Sequence, residues 1–111
     1  MKFPVIGQAL RIYIGENDTW QGRPLYEEIV KKAREINLAG ATVFRGSMGY
    51  GAASRIHTTK VLRLSEDLPI VIEIVDEADR IDLIIPFLDE AVQEGLITRE
   101  NITVIKYRHN K

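Results

Sequence analysis

Between Gly40 and Ser65 the chain carries Arg45, Arg55, His57, Lys60 and Arg63 and no acidic side chain, although its 111 residues together have a formal net charge of only -1. Three glycines, Gly46, Gly49 and Gly51, stand ahead of the main basic run. Glycine lets a backbone reach φ > 0 and approach a ligand closely, and unpaired amides beside cations attract anions. The chemistry on offer is anion binding. Gly49 to Gly51 would give close backbone approach, and Arg55, His57 and Lys60 would give charge, a combination that suits phosphate. The competing reading is a solvated connector whose cations serve only solubility.

Catalysis finds little support. The chain has no cysteine, which removes thiol nucleophiles and thiolate metal sites. His57 and His109 are its two histidines, and no spacing of His, Asp and Glu makes a metal motif. Ser47 and Ser54 lie near His57 in sequence, but adjacency in a loop does not make a triad. Glu73, inside an apolar run, reads as an ion-paired or interfacial carboxylate. The run Gly46-Ser47-Met48-Gly49-Tyr50-Gly51 is neither a dinucleotide fingerprint nor a Walker loop. A non-enzymatic protein with no obligatory cofactor is expected. Nucleic acid is not the expected partner, because the chain is nearly neutral. Ile12–Gly15 and Gly49–Ala52 resemble fragments of the two RNA-recognition signatures, but Met48 and Ala53 stand where a basic and a stacking aromatic residue are needed.

The elements that must position the basic loop can be read in order. With 45% hydrophobic and 28% charged residues, the chain reads as one soluble globular domain over 1–111. Residues 1–7 read as an irregular arm. Residues 8–14 alternate, with Leu10, Ile12 and Ile14 on one face, and form a strand. A helix from about Pro24 to Leu38 buries Leu25, Ile29, Ala33 and Ile36, with Glu27–Lys31 and Glu28–Lys32 as i,i+4 pairs and Gly40 just past its end. Residues 41–45 make a second strand and 46–66 a long loop, with 60–64 β-like. Residues 70–75 make a third strand, apolar on both faces. A second helix, bent by Pro86, carries Ile81, Ile84, Ile85, Leu88 and Val92 and ends at Gly95. Residues 101–107 close the chain as a fourth strand.

The order βαββαβ predicts the α+β ferredoxin-like arrangement, an antiparallel four-stranded sheet with two helices on one face. Tyr13, Phe44, Ile105 and Tyr107 are expected to enrich the face left bare, which would then bury against other copies. No apolar run is long enough to span a bilayer and the N-terminus lacks a signal-peptide layout, so a cytoplasmic, non-integral protein is expected. An acylphosphatase-type enzyme would need a phosphate cradle after the first strand, where this chain has the acidic Gly15-Glu16-Asn17-Asp18.

Taken jointly, GATVFRG, GYGAASRIHT, LRLSEDLPIVIEIVD, EGLIT and the IYIGE…PLYEEIV segment resemble the PII-like signalling proteins formerly catalogued as a domain of unknown function. The likeness runs from about Leu10 to Val104. These in turn resemble the nitrogen-regulatory PII proteins, which are ferredoxin-like homotrimers. PII proteins bind adenine nucleotides between subunits and touch transporters, channels or enzymes through a long loop. Thr42-Val43 and Gly49-Tyr50-Gly51 match the opening of that loop, and Gly95 and Ile97 match positions in a shorter second loop. Ala52 and Ala53 stand where PII proteins carry an arginine and a glutamine near the phosphates. Thr98, Glu100 and Asn101 replace the glycines and lysine of the shorter loop, and no modified loop tyrosine is matched. The resemblance implies a homotrimeric regulator with an adenine nucleotide or another anion as effector. Its expected effector residues are Thr42, Arg45, Gly49, Tyr50, Gly51, Arg55, His57, Lys60 and Gly95. The alternative is a small trimeric ion-binding or scaffold protein.

Overall fold

The computed structural model describes residues 3–50, 57–58 and 67–108, with the backbone alone described at His57 and Thr58. Strand β1 (Val5–Gly15) is followed by helix α1 (Leu25–Glu35) and strand β2 (Ala41–Arg45). Strand β3 (Pro69–Asp76), two short helices α2 (Ala78–Ile81) and α3 (Ile85–Ala91), and strand β4 (Leu96–Val104) complete it. The sheet order is β2-β3-β1-β4 and every neighbouring pair is antiparallel. This is the expected ferredoxin-like fold.

Strand pairing decides the two faces, because cross-strand partners share a face. Leu10, Ile12 and Ile14 sit opposite Ile74, Ile72 and Ile70, and all six are buried. Leu25, Ile29 and Ala33 of α1 and Ile81, Ile84, Leu88 and Ala91 around α2 and α3 complete that core. On the other face Phe44, Val71, Tyr13 and Leu96 form one row across the sheet. Phe44 and Leu96 are 50% and 56% exposed. Beside it runs a polar row of Thr42, Glu73, Arg11 and Thr98.

Several elements differ from the sequence expectation. β1 begins at Val5, inside the expected arm, because Val5 to Gly7 pair with Val104 to Ile102. β4 starts at Leu96 and ends at Val104, displaced from 101–107. Its pairing with β1, not its own pattern, sets its span, since an edge strand exposed on both faces does not need to alternate. Ile105 and Tyr107 therefore lie beyond the strand, and Leu96 takes the place expected for them on the bare face. Pro86 does not bend one helix. It sits in the first turn of α3, where a missing N–H is tolerated, and α2 is a separate turn. α1 stops at Glu35 because Asn37, at φ 60°, provides the left-handed cap and Leu38 N–H returns to Ala33 O at 2.9 Å, so Gly40 is not the cap. The helix salt bridges are Glu28–Lys31 (3.4 Å) and Lys32–Glu35 (3.9 Å), both i,i+3, in place of the expected i,i+4 pairs. Within the 46–66 connection, Met48–Gly49 pair with His57–Thr58 as a two-residue antiparallel ladder. The tryptophan loop forms another, Thr19–Trp20 against Arg23–Pro24, and its Trp20 packs edge-on to Phe87 with centroids 6.1 Å apart.

Candidate functional site

The long connection leaves the sheet at Arg45 and returns at Pro69, and between its two legs and the start of β4 lies a cleft of about 330 Å³. Gly46, Met48, Gly49 and Tyr50 of the outgoing leg, Glu94 and Gly95 before β4, Tyr13 and Gly15 of β1, and Asp67 and Pro69 of the returning leg line it. Three of the expected effector residues, Gly49, Tyr50 and Gly95, are thus brought together although they are far apart in sequence. The glycines have packing reasons of their own. A Cβ on Gly46 would meet Pro69 Cγ at 2.7 Å, and one on Gly95 would meet Tyr13 O at 2.5 Å.

The described part of this cleft is acidic. Asp18, Asp67 and Glu94 line it, and none of its described lining residues is cationic. Arg45 turns to the other side of β2 and pairs with Glu16 at 2.5 Å. Gly51, Arg55 and Lys60, and the side chain of His57, lie outside what is described. Gly15, Asp18 and Asp67 were not marked by the sequence, because their part in the cleft follows from the return of the chain at Pro69 to the end of β1.

Thr42 lies elsewhere. It lines a second hollow of about 360 Å³ with Gly40, Glu73, Val75, Val104 and Lys106 at the opposite end of the sheet. Tyr13 and Val71 of the first cleft and Thr42, Glu73 and Val75 of the second all belong to the bare face, so both hollows open on it. Between them Arg11 donates to Glu73 at 3.0 Å and to Glu100 at 2.5 Å. Glu100 first, and Glu73 after it, hold the Arg11 guanidinium above its ordinary pKa. Glu73 is therefore ion-paired, as its setting in an apolar strand suggested. Among the described residues no group of three or more His, Asp or Glu side chains is arranged to hold a metal ion. None of the described helices is long and apolar enough to cross a membrane.

Residues 7–104 match the DUF190 family model, described as Uncharacterized ACR, COG1993. The chain belongs to the DUF190 family. It is similar to a UPF0166 protein of Aquifex aeolicus (strain VF5), 41% identical over 100 residues that cover 88% of this chain and 92% of the relative. A UPF0166 protein of Methanocaldococcus jannaschii is 36% identical over 100 residues, covering 89% and 92%. In fold, this DUF190 chain is similar to CPII, a nitrogen regulatory PII-like protein from Thiomonas intermedia K12 whose structure is bound to ADP, AMP and bicarbonate. The TM-score is 0.66 at 16% identity, covering 92% of this chain and 91% of that one. A second CPII structure, bound to ADP and bicarbonate, gives a TM-score of 0.59 at 15% identity, with the same coverage of both chains. The fold expected from the PII resemblance is thereby met, and the family shown is DUF190.

Proposed function

We propose that the protein is a PII-like, non-catalytic regulator that binds an adenine nucleotide or another small anion and contacts a partner through its 46–60 connection. The observation that carries this reading is the position of the 330 Å³ cleft, at the root of that connection and open on the bare face. A ligand seated there touches Gly46, Gly49 and Tyr50, the first residues of the outgoing leg, so its binding energy can favour one arrangement of the connection over another. Tyr13 and Tyr50 offer aromatic surface to a base, and the lining carboxylates suit hydroxyl and amino groups. Phosphate charge is assigned to Arg55, His57 and Lys60. That CPII is held with ADP, AMP and bicarbonate supports the choice of ligands to try. Calorimetry with AMP, ADP, ATP and cyclic AMP on the folded protein tests the reading. Heat with one of them is expected, and no heat with any of them removes the nucleotide version of the reading.

The homotrimer belongs to the same proposal. A row of four apolar residues beside half-buried ion pairs is poorly matched to water, and both hollows gain a missing wall if other copies cover that face. A mass in solution of three chains is expected from light scattering, and a monomer at micromolar concentration would contradict it. Arg11→Glu changes the local sum of one cation and two carboxylates from -1 to -3 and should shift the protein toward monomer. An unchanged mass would show that copies do not pack across this ion cluster.

A further inference from the structure

The acidic turn Gly15–Asp18, which the sequence set aside as unsuited to phosphate, is where three parts of the chain meet. Gly15 N–H donates to Asp18 Oδ2 at 2.9 Å, closing the turn, and Asp18 O accepts from Leu25 N–H at 2.8 Å, the start of α1. The outgoing leg of the 46–66 connection is tied to this turn by the Arg45–Glu16 ion pair. The returning leg is tied twice: Glu16 N–H donates to Leu68 O at 2.8 Å and Asn17 N–H donates to Asp67 Oδ1 at 2.7 Å. The legs also hold each other, Gly46 N–H donating to Pro69 O at 2.7 Å.

One side chain belongs both to this clamp and to the cleft. Asp67 lines the cleft, accepts from the turn, and packs its carboxylate over Gly15 so closely that a Cβ there would lie 2.5 Å from Oδ2. We infer that Asp67 couples the cleft to the root of the connection: a ligand hydroxyl or amine that takes the Asp67 carboxylate draws it from Asn17 N–H and loosens the turn that holds both legs. Asp67 is a positioning residue in this scheme, acting on Arg45 and Gly46 through the Gly15–Asp18 turn. The coupling goes beyond the effector reading and rests on it only for the ligand step. The clamp itself is made of the chain's own groups and can be tested without a ligand.

The test is hydrogen exchange by NMR on the ligand-free full chain, comparing wild type with Asp67→Asn, Gly15→Ala and Glu16→Gln. Gly15→Ala displaces the Asp67 carboxylate without changing its charge, and the atom it meets is the end of a flexible side chain, so the fold survives. Loss of one such hydrogen bond corresponds to about 5–10-fold in a local opening equilibrium. Gly15→Ala should speed exchange at Asn17 and also at Gly46, whose own bond to Pro69 it does not touch, by about 5–10-fold, and Asp67→Asn and Glu16→Gln, which keep an acceptor oxygen and lose only the charge, should do so by less. The Ile72 amide in the sheet centre should not change. Unchanged exchange at Gly46 in Gly15→Ala and Glu16→Gln overturns the coupling, whatever the ligand data show. AMP is then the ligand probe: at saturating AMP it should speed Gly46 exchange in wild type, and Asp67→Asn, at whatever higher AMP concentration saturates it, should lack that response. Equal responses in the two proteins overturn the ligand step. Faster Gly46 exchange in the variants with no AMP binding to any of them supports the clamp and counts against the effector reading.

Discussion

Asp76→Ala is expected to destabilise the protein by about 2–4 kcal/mol, measured by urea unfolding. Asp76 is 2% exposed, and its carboxylate accepts from Ala39 N–H (2.9 Å), Glu77 N–H (2.7 Å) and Arg80 Nε (3.3 Å). Removing it leaves partly buried backbone donors without a partner, and each such group costs about 1–3 kcal/mol. The loss also spreads, because Arg80 donates to Ile36 O and Asn37 O and so fixes the turn between α1 and β2. Tyr107 Oη donates to Ala39 O in that same turn, at 2.8 Å, and the C-terminal segment would loosen with it. Arg80 itself is more exposed, so its ion pair adds the smaller share. Asp76→Asn, which keeps one acceptor oxygen, should lose less. A change below 1 kcal/mol in the alanine variant would show that water replaces the carboxylate.

Gly95→Ala should have an effect of similar size, about 2–4 kcal/mol, seen as a fall in Tm of about 10–20 °C for a domain of this length. Gly95 has φ 153°, in the region that residues with a Cβ rarely adopt. Its added Cβ would lie 2.5 Å from Tyr13 O and 3.2 Å from Ile14 Cγ2 and Val92 Cγ1. Two of those three neighbours belong to the central strand, and the backbone oxygen cannot turn away as a side chain can. The Tyr13–Leu96 pairing that opens β4 would shift, and with it the cleft wall that Gly95 supplies. A variant that keeps its stability would mean that the strand adjusts freely at this end.

The period-two pattern of Leu10, Ile12, Ile14 and Ile70, Ile72, Ile74, with the 3.6-residue stripe of α1, determined the fold from the sequence, because those residues must leave water and have only one way to share a face. The glycine and basic pattern of 46–63 located the connection at whose root the cleft lies, and the βαββαβ order foretold the fold that the chain shares with CPII. Only the tertiary structure decided which charges stand free. Arg45 is matched to Glu16 because the chain turns at Gly15 next to the end of β2, a proximity across 29 positions that no local pattern encodes. The extent of β4 was decided in the same way, by pairing with β1, since an edge strand open to water on both faces carries no hydrophobic rhythm to read. Asp67 carried no mark in the sequence. Its place in both the cleft and the clamp exists only because the returning leg meets the end of β1.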